Sequence, residues 1–149
     1  MKSLDQQAQG TAAPSIWNPN AAANWSLIFT PAFGAYLQML NWRSLGNADH
    51  AATSRQWFWA SLVMLAVFVL APLLLPEKTA DGTVRGVGLV FLLTWYFSNA
   101  KVQAKYVKST YGSAYPRRGW GKPLGFAVLA VVAYFVVFVL AAALVGAVR

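Results

Sequence analysis

The residues best placed to do chemistry in this sequence are cations that recur at helical spacing. Lys101, Lys105 and Lys108 stand at positions i, i+4 and i+7, so they share one face if the segment is helical. The turn-rich stretch YGSAYPRRGWGKP follows and mixes further cations with aromatic rings. Against a membrane, such a segment attracts anionic headgroups by about 1 kcal/mol per basic residue. The residues predicted to contact a lipid headgroup or a partner are Lys101, Lys105, Lys108, Arg117, Arg118, Trp120 and Lys122.

Groups that could perform acid–base or metal chemistry are scarce. The 149 residues include four Asp and Glu, one His and no Cys, which removes thiol catalysis and Cys–zinc sites. Asp49 and His50 are neighbours in a short polar connection, a pattern more typical of a solvated turn than of a catalytic pair. We therefore predict a protein that is not an enzyme and that has no catalytic residue, cofactor or metal site.

The composition predicts that these residues are positioned by helices in a membrane. The chain is 58% hydrophobic and only 11% charged, against roughly 25% charged residues in soluble domains. Residues 57–76 and 124–148 are apolar runs long enough to cross a hydrocarbon core of about 30 Å. A third helix is predicted at 84–100, after a loop with a turn signal at Asp81-Gly82. The sequence thus predicts an all-α integral membrane protein with three firm transmembrane helices.

The stretch WSLIFTPAFGAYLQMLNW, residues 25–42, leaves two alternatives open. Pro31 tends to kink a helix, which favours a re-entrant segment, whereas the tryptophans at the two ends suit a fourth span that joins both interfacial belts. In either case, residues 1–24 form a polar tail and residues 25–149 a single membrane-embedded helical domain. Small and polar residues form an imperfect stripe along this segment, and such stripes pack helices together in membranes. The predicted packing residues are Ser26, Thr30, Gly34, Gln38 and Asn41, with Ala142 and Gly146 as a small-xxx-small pair in the last helix.

The asymmetry of charge predicts the orientation of the chain. Residues 101–123 form a predicted loop with six Lys and Arg and no Asp or Glu, so the positive-inside rule places this loop in the cytoplasm. A net charge of +8 would suit nucleic acid in a soluble protein, but cations held against a membrane argue against that partner. The expected partners are anionic membrane lipids, together with a membrane protein or a second copy of the chain.

The stretch WNPNAAANWSLIFTPAFGAYLQMLNWRSLG has a Trp-Asn-Pro start, a Phe-Thr-Pro kink and an Asn-Trp element near its end, and the stretch YVKSTYGSAYPRRGWGKPL follows downstream. In these features the chain, from Trp17 to Leu124, resembles a group of small bacterial inner-membrane proteins. The resemblance implies a setting in the bacterial inner membrane and no known reaction.

Two classes of function remain. The first is a non-enzymatic interaction protein of the inner membrane, most concretely an immunity-type protein that protects against a membrane-acting toxin. A small chain with several spans and no catalytic or proton-coupling group fits that profile. The alternative is a lipid-handling or transport accessory protein, which uses the basic aromatic loop to bind anionic headgroups.

Overall fold

The computed structural model describes residues 13–148, without the side chains of residues 77, 80, 83 and 148. Within that range the elements are helical, and the only strand-like pairing is an isolated bridge between Ile16 and Arg117. The helices are α1 (Pro19–Phe29), α2 (Pro31–Ser44), α3 (Ala48–Leu74), α4 (Glu77–Trp95), a π-helical segment (Tyr96–Ala100), α5 (Lys101–Tyr111) and α6 (Gly121–Val148).

Helices α1 and α2 form an antiparallel hairpin. The side chain of Asn18 caps α1 and Pro19 begins it, a favoured position because proline has no N–H to leave unpaired. At Thr30 the backbone has φ 136° and ψ 160°, a strained conformation for a β-branched residue, and the chain reverses there before Pro31 begins α2. The start of α1 therefore lies beside the end of α2, where the backbone N–H of Trp17 donates to Asn41 Oδ1 over 3.0 Å. The alternative of a fourth span over residues 25–42 is not confirmed, because the chain turns back at Thr30.

Helices α3 and α4 form a second antiparallel hairpin. Asn47 caps α3 by accepting from the backbone N–H of His50, so most of the predicted polar connection is helical. The Asp81-Gly82 turn signal was wrong, since α4 begins at Glu77 directly after Pro76. An exposed ion pair of 3.3 Å between Arg85 and Asp81, one turn apart, fits the helix better than a turn.

The helix predicted at 84–100 belongs to a longer continuous run of helix, Glu77–Tyr111, which we call the third rod. It continues well beyond the predicted end at residue 100. Helix α4, the π-helical segment and α5 follow one another with helical dihedral angles at their junctions. The rod ends at Gly112, whose φ of 60° suits glycine. Residues 101–111 of the predicted basic loop are therefore helical, as the spacing of the lysines requires for a shared face.

Two helices of the described chain are long and apolar enough to cross a membrane, Ala48–Leu74 and Gly121–Ala147. Helix α4 is not among them, because its first three turns carry Lys78, Asp81 and Arg85. Helix α6 begins three residues earlier than predicted and makes sparse contacts with α1 and α3. No residue in its most apolar stretch is buried.

The predicted polar tail is only partly a tail. Residues 1–12 lie outside the described part of the chain. Ile16 is fully buried, and residues 19–24 belong to α1. The tail prediction failed here because a run of three alanines between Asn20 and Asn24 gave no strong apolar signal, although it supports a capped helix.

Candidate functional site: a basic surface over a buried amide network

Helix α2 runs parallel to the third rod, and one glycine allows their close approach. A Cβ atom on Gly34 would lie 2.7 Å from Trp95 Cζ2 and 2.0 Å from Ser26 Oγ, both closer than van der Waals contact allows. Trp95 and Ser26 are themselves buried. Only glycine fits between α1 and the rod at this position, so Gly34 sets the distance at which the polar side chains further along α2 meet their partners.

Five buried side chains form a continuous hydrogen-bonded network next to this contact. Ser54 Oγ donates to Asn99 Oδ1 over 3.0 Å, and Asn99 Nδ2 donates to Gln38 Oε1 over 2.5 Å. Gln103 Nε2 donates to the backbone carbonyl of Gln38 over 2.9 Å. Gln103 Oε1 accepts from Asn41 Nδ2 over 3.0 Å. The network therefore joins α2, α3, the π-helical segment and α5 by directional bonds.

The π-helical segment explains why Trp95, Asn99 and Gln103 all face α2. Residues four apart drift around an α-helix of 3.6 residues per turn. A π-helical turn is closed by an i→i+5 hydrogen bond and holds more residues than an α-helical turn. One such turn therefore rotates the following residues back and offsets the drift. Asn99, within the segment, is almost fully buried, and Gln103 is completely buried.

Two donors in this region lack a partner among the described atoms. These are Gln38 Nε2 and Trp95 Nε1, both on side chains with no exposed surface. The remaining network groups are amides and a hydroxyl, which carry no charge at neutral pH and cannot act as acid or base. The network therefore has a structural role: its hydrogen bonds fix the helices relative to one another.

The N-terminal segment fastens the basic loop to this network. Ile16 exchanges backbone hydrogen bonds with Pro116 and Arg118, at 3.1 and 2.9 Å. Trp17 Nε1 donates to the carbonyl of Gly119 over 3.0 Å. The backbone of Trp17 in turn exchanges two bonds with the Asn41 side chain. Residues 112–120 are thus held in place through the same side chain that anchors the network.

Arg118 has a structural role that sets it apart from the other cations. Its guanidinium lies 4.7 Å from the ring centroid of Trp17 and donates to Ser44 Oγ over 3.1 Å. Lys101 lies over the ring of Phe97 and Arg117 over that of Tyr115. Among the side chains that the structure describes, no carboxylate pairs with any of these three cations.

The cations form what we call the basic surface, made of Lys101, Lys105, Lys108, Arg117, Arg118 and Lys122. All are exposed except Arg118, which is half-buried, as is the neighbouring predicted residue Trp120. The lysines of α5 and the cations of the loop lie at the same end of the bundle, because both contact the end of α2. Trp42 makes a tilted ring contact with Tyr106 of α5, with ring centroids 5.0 Å apart, and Arg118 of the loop donates to Ser44. The structure therefore brings the seven predicted contact residues to one end of the molecule.

The predicted packing residues divide into two groups. Ser26, Gly34, Gln38 and Asn41 are buried between helices, and Thr30 lies half-buried at the hairpin tip. In α6, Ala142 is half-buried, and a Cβ on Gly146 would meet nothing within 4 Å. The small-xxx-small pair therefore has no demonstrated partner helix within the described chain.

Sequence reasoning missed the partners of the stripe. Ser54 falls in the polar connection between predicted helices, Asn99 at the end of the helix predicted at 84–100, Gln103 in the predicted basic loop and Trp17 in the predicted tail. The available signal was a set of uncharged hydrogen-bonding side chains at the boundary of each apolar run. Within the described residues, no group of three or more His, Asp or Glu could hold a metal.

Comparison with protein-family models, curated proteins and solved structures finds no match to this chain.

Proposed function

We propose that the protein spans a bacterial inner membrane with α3, α6 and the uncharged stretch of the third rod between Arg85 and Lys101, and that its α1–α2 hairpin re-enters from the cytoplasmic side. Both ends of the hairpin lie at the end that carries the basic surface, which the positive-inside rule assigns to the cytoplasm. Its tip lies beside Met64 and Leu65 of α3. These residues are seven and eight positions beyond Trp57, where the apolar run begins, so the tip reaches about 11 Å into the hydrocarbon.

A buried amide network suits this arrangement. Backbone and polar groups at membrane depth must find partners inside the protein. Ser54 lies one turn before Trp57, so the network sits at the cytoplasmic boundary of the hydrocarbon and fixes the hairpin where it enters.

In this orientation we propose that the basic surface binds anionic lipid headgroups, as a lipid-handling or transport accessory protein would. The observation that carries this proposal is that cations without a carboxylate partner are held on a scaffold fastened by Ile16, Trp17 and Asn41. A cation that is not neutralised by a carboxylate keeps its attraction for a phosphate, and a fixed scaffold lowers the entropy cost of binding.

The test compares two double variants in vesicles of mixed phosphatidylglycerol and phosphatidylcholine. Lys105→Gln with Lys108→Gln removes two exposed cations from the basic surface. Lys78→Gln with Arg85→Gln removes two exposed cations from the start of α4, at the other end of the third rod. Quenching of tryptophan fluorescence by brominated lipids reports the preference of the protein for each headgroup. We expect the first variant to lose about 10- to 30-fold in preference for phosphatidylglycerol, from about 1 kcal/mol per charge. Unchanged preference in the first variant, or an equal loss in the second, would contradict headgroup binding.

A second candidate function is protein interaction, and the loose packing of α6 favours it. This helix exposes Phe135, Val136 and Leu140 within the described chain, and a partner helix or a second copy would cover them. The most concrete form of this proposal is immunity against a membrane-acting toxin.

The test of immunity challenges cells that lack the protein with a panel of toxin-delivering neighbours. Sensitivity to one neighbour, reversed by restoring the protein, supports immunity, whereas equal survival against all of them contradicts it.

A further inference from the structure

A cavity of about 240 Å³ lies at the tip of the α1–α2 hairpin. Ser26, Ile28 and Pro31 line it from the hairpin, Met64 and Phe68 from α3, and Phe91 from α4. The hydroxyls of Ser26 and Ser61 at its wall donate to backbone carbonyls of their own helices, over 2.7 Å each. The cavity therefore offers an apolar wall with little unsatisfied hydrogen-bonding capacity.

The cavity exists because the hairpin is short. Helices α1 and α2 pack beside α3 and the third rod as far as Thr30 and then turn back. Beyond the tip, α3 and α4 continue without them, which leaves a gap under Pro31. At the rim, Leu27 is 62% and Ile28 70% exposed, so the gap opens sideways to whatever surrounds the helices.

The depth and size of the cavity indicate its occupant. Ser61 and Phe68 lie four and eleven residues beyond Trp57, which corresponds to about 6–16 Å below the boundary of the hydrocarbon. Small-molecule sites are typically larger, roughly 300–1,000 Å³, so this cavity fits part of a chain rather than a whole ligand. An empty apolar gap forfeits dispersion contacts, and an acyl chain is the component of a membrane that can restore them.

We propose that this cavity binds one acyl chain of an anionic phospholipid whose headgroup lies at the basic surface. The inference rests on the proposed function, because it requires the hairpin to enter from the cytoplasmic side. It assigns a second contact to the same lipid. The basic surface selects the headgroup by charge, and the gap under the hairpin holds the chain by shape.

The test uses the full chain in nanodiscs that contain phosphatidylglycerol with a photoreactive diazirine at mid-chain. Mass spectrometry after illumination locates the labelled residues. We expect labelling concentrated on residues 61–68 and 88–92, at least fivefold above that on α6. Comparable labelling of the cavity and of α6 would show lipid that merely surrounds the protein, and would overturn the proposal.

Two filled variants and one control make the test specific. Leu65→Trp in α3 and Leu92→Trp in α4 each replace a leucine at the cavity wall with a larger indole side chain. If one variant fails to fold, the other still tests the proposal. Leu129→Trp adds the same ring to an exposed position of α6. We expect either folded cavity variant, judged by a retained melting transition, to reduce cavity labelling at least fivefold. Leu129→Trp should leave it unchanged, and undiminished labelling in a folded cavity variant would overturn the proposal.

The same probe on phosphatidylcholine separates this inference from headgroup binding. Weaker cavity labelling by phosphatidylcholine than by phosphatidylglycerol supports one lipid that makes both contacts. Equal labelling by both lipids would overturn the link to an anionic headgroup and leave a chain site without charge selection. Absence of cavity labelling from a protein that still prefers phosphatidylglycerol in the quenching experiment would overturn the chain site alone.

Discussion

The hairpin region and α6 are held in the molecule by different means. Gln38, Asn41 and Gln103 join α2 to the third rod through hydrogen bonds, which are directional and therefore fix the relative position of the helices. Helix α6 offers an apolar surface on nearly every side and touches the rest of the chain sparsely. In a membrane, an apolar side chain gains little by leaving lipid for protein, so apolar character alone does not fix a helix against its neighbours. Directional polar contacts and close backbone approach do.

This difference implies that the stability of the fold is concentrated in the hairpin region. Equal chemical changes should therefore have unequal effects in the two regions. Unfolding can be followed by tryptophan fluorescence in mild detergent, since the seven tryptophans include the buried Trp42 and Trp95.

The largest effect is expected from Gly34→Leu. Its side chain would occupy the space of Ser26 Oγ and of the Trp95 ring, which cannot move away because it is fully buried. Overpacking of a well-packed site costs about 1–3 kcal/mol and occasionally more, and the close approach of Ser26 and Trp95 places this variant at the upper end. We expect the melting temperature Tm to fall by at least 10 °C, or the variant not to accumulate as folded protein.

The matched control is Gly125→Leu in α6. A Cβ at Gly125 would meet nothing within 4 Å, and leucine has the higher helix propensity. We expect Tm to stay the same or to rise. A similar fall in both variants would show that α6 is packed as tightly as the hairpin and would break the comparison.

The next effect is expected from Asn41→Ala. This change removes the partners of the Trp17 backbone and of Gln103 Oε1 together, and each buried unpaired group costs about 1–3 kcal/mol. We expect a fall in Tm and faster trypsin cleavage after Arg117, because the N-terminal segment then releases the loop that it fastens.

Asn24→Ala supplies the control for the same residue type in the same hairpin. The side chain of Asn24 is exposed, so we expect neither Tm nor the rate of cleavage to change. If Asn41→Ala lowered Tm without faster cleavage, the amide network would stabilise the helices without holding the loop.

The sequence predicted the helical class, the two most apolar helices and the burial of most of the polar stripe. Such features depend on composition and periodicity, which are local properties. The reversal at Thr30 was left open, because Pro31 can kink a spanning helix as readily as it begins a new one. Which outcome occurs depends on the contacts of Gly34 and Asn41 with distant parts of the chain.

The partners of the stripe and the π-helical segment were beyond the reach of local patterns. Asn99 and Gln103 face Gln38 and Asn41 only because the rod runs parallel to α2, across more than sixty residues of sequence. The Asp81-Gly82 turn failed for a related reason. A turn signal of two residues is overridden when a proline before it and an ion pair across it favour a helix.

The smallest effect is expected from Leu129→Ala, and it is the sharpest measure of the comparison. Leu129 in α6 is 65% exposed, whereas Leu37 in α2 is 2% exposed. The matched variant Leu37→Ala should lower the free energy of unfolding by about 2–5 kcal/mol, because it leaves a cavity. Leu129→Ala should change it by no more than about 0.5 kcal/mol, because lipid or detergent fills the vacated space. Both variants lose the same atoms, so the ratio of their Tm shifts measures how firmly each helix is packed. Equal shifts would mean that α6 has a partner in the purified protein, and would direct the search for that partner to the face around Leu129.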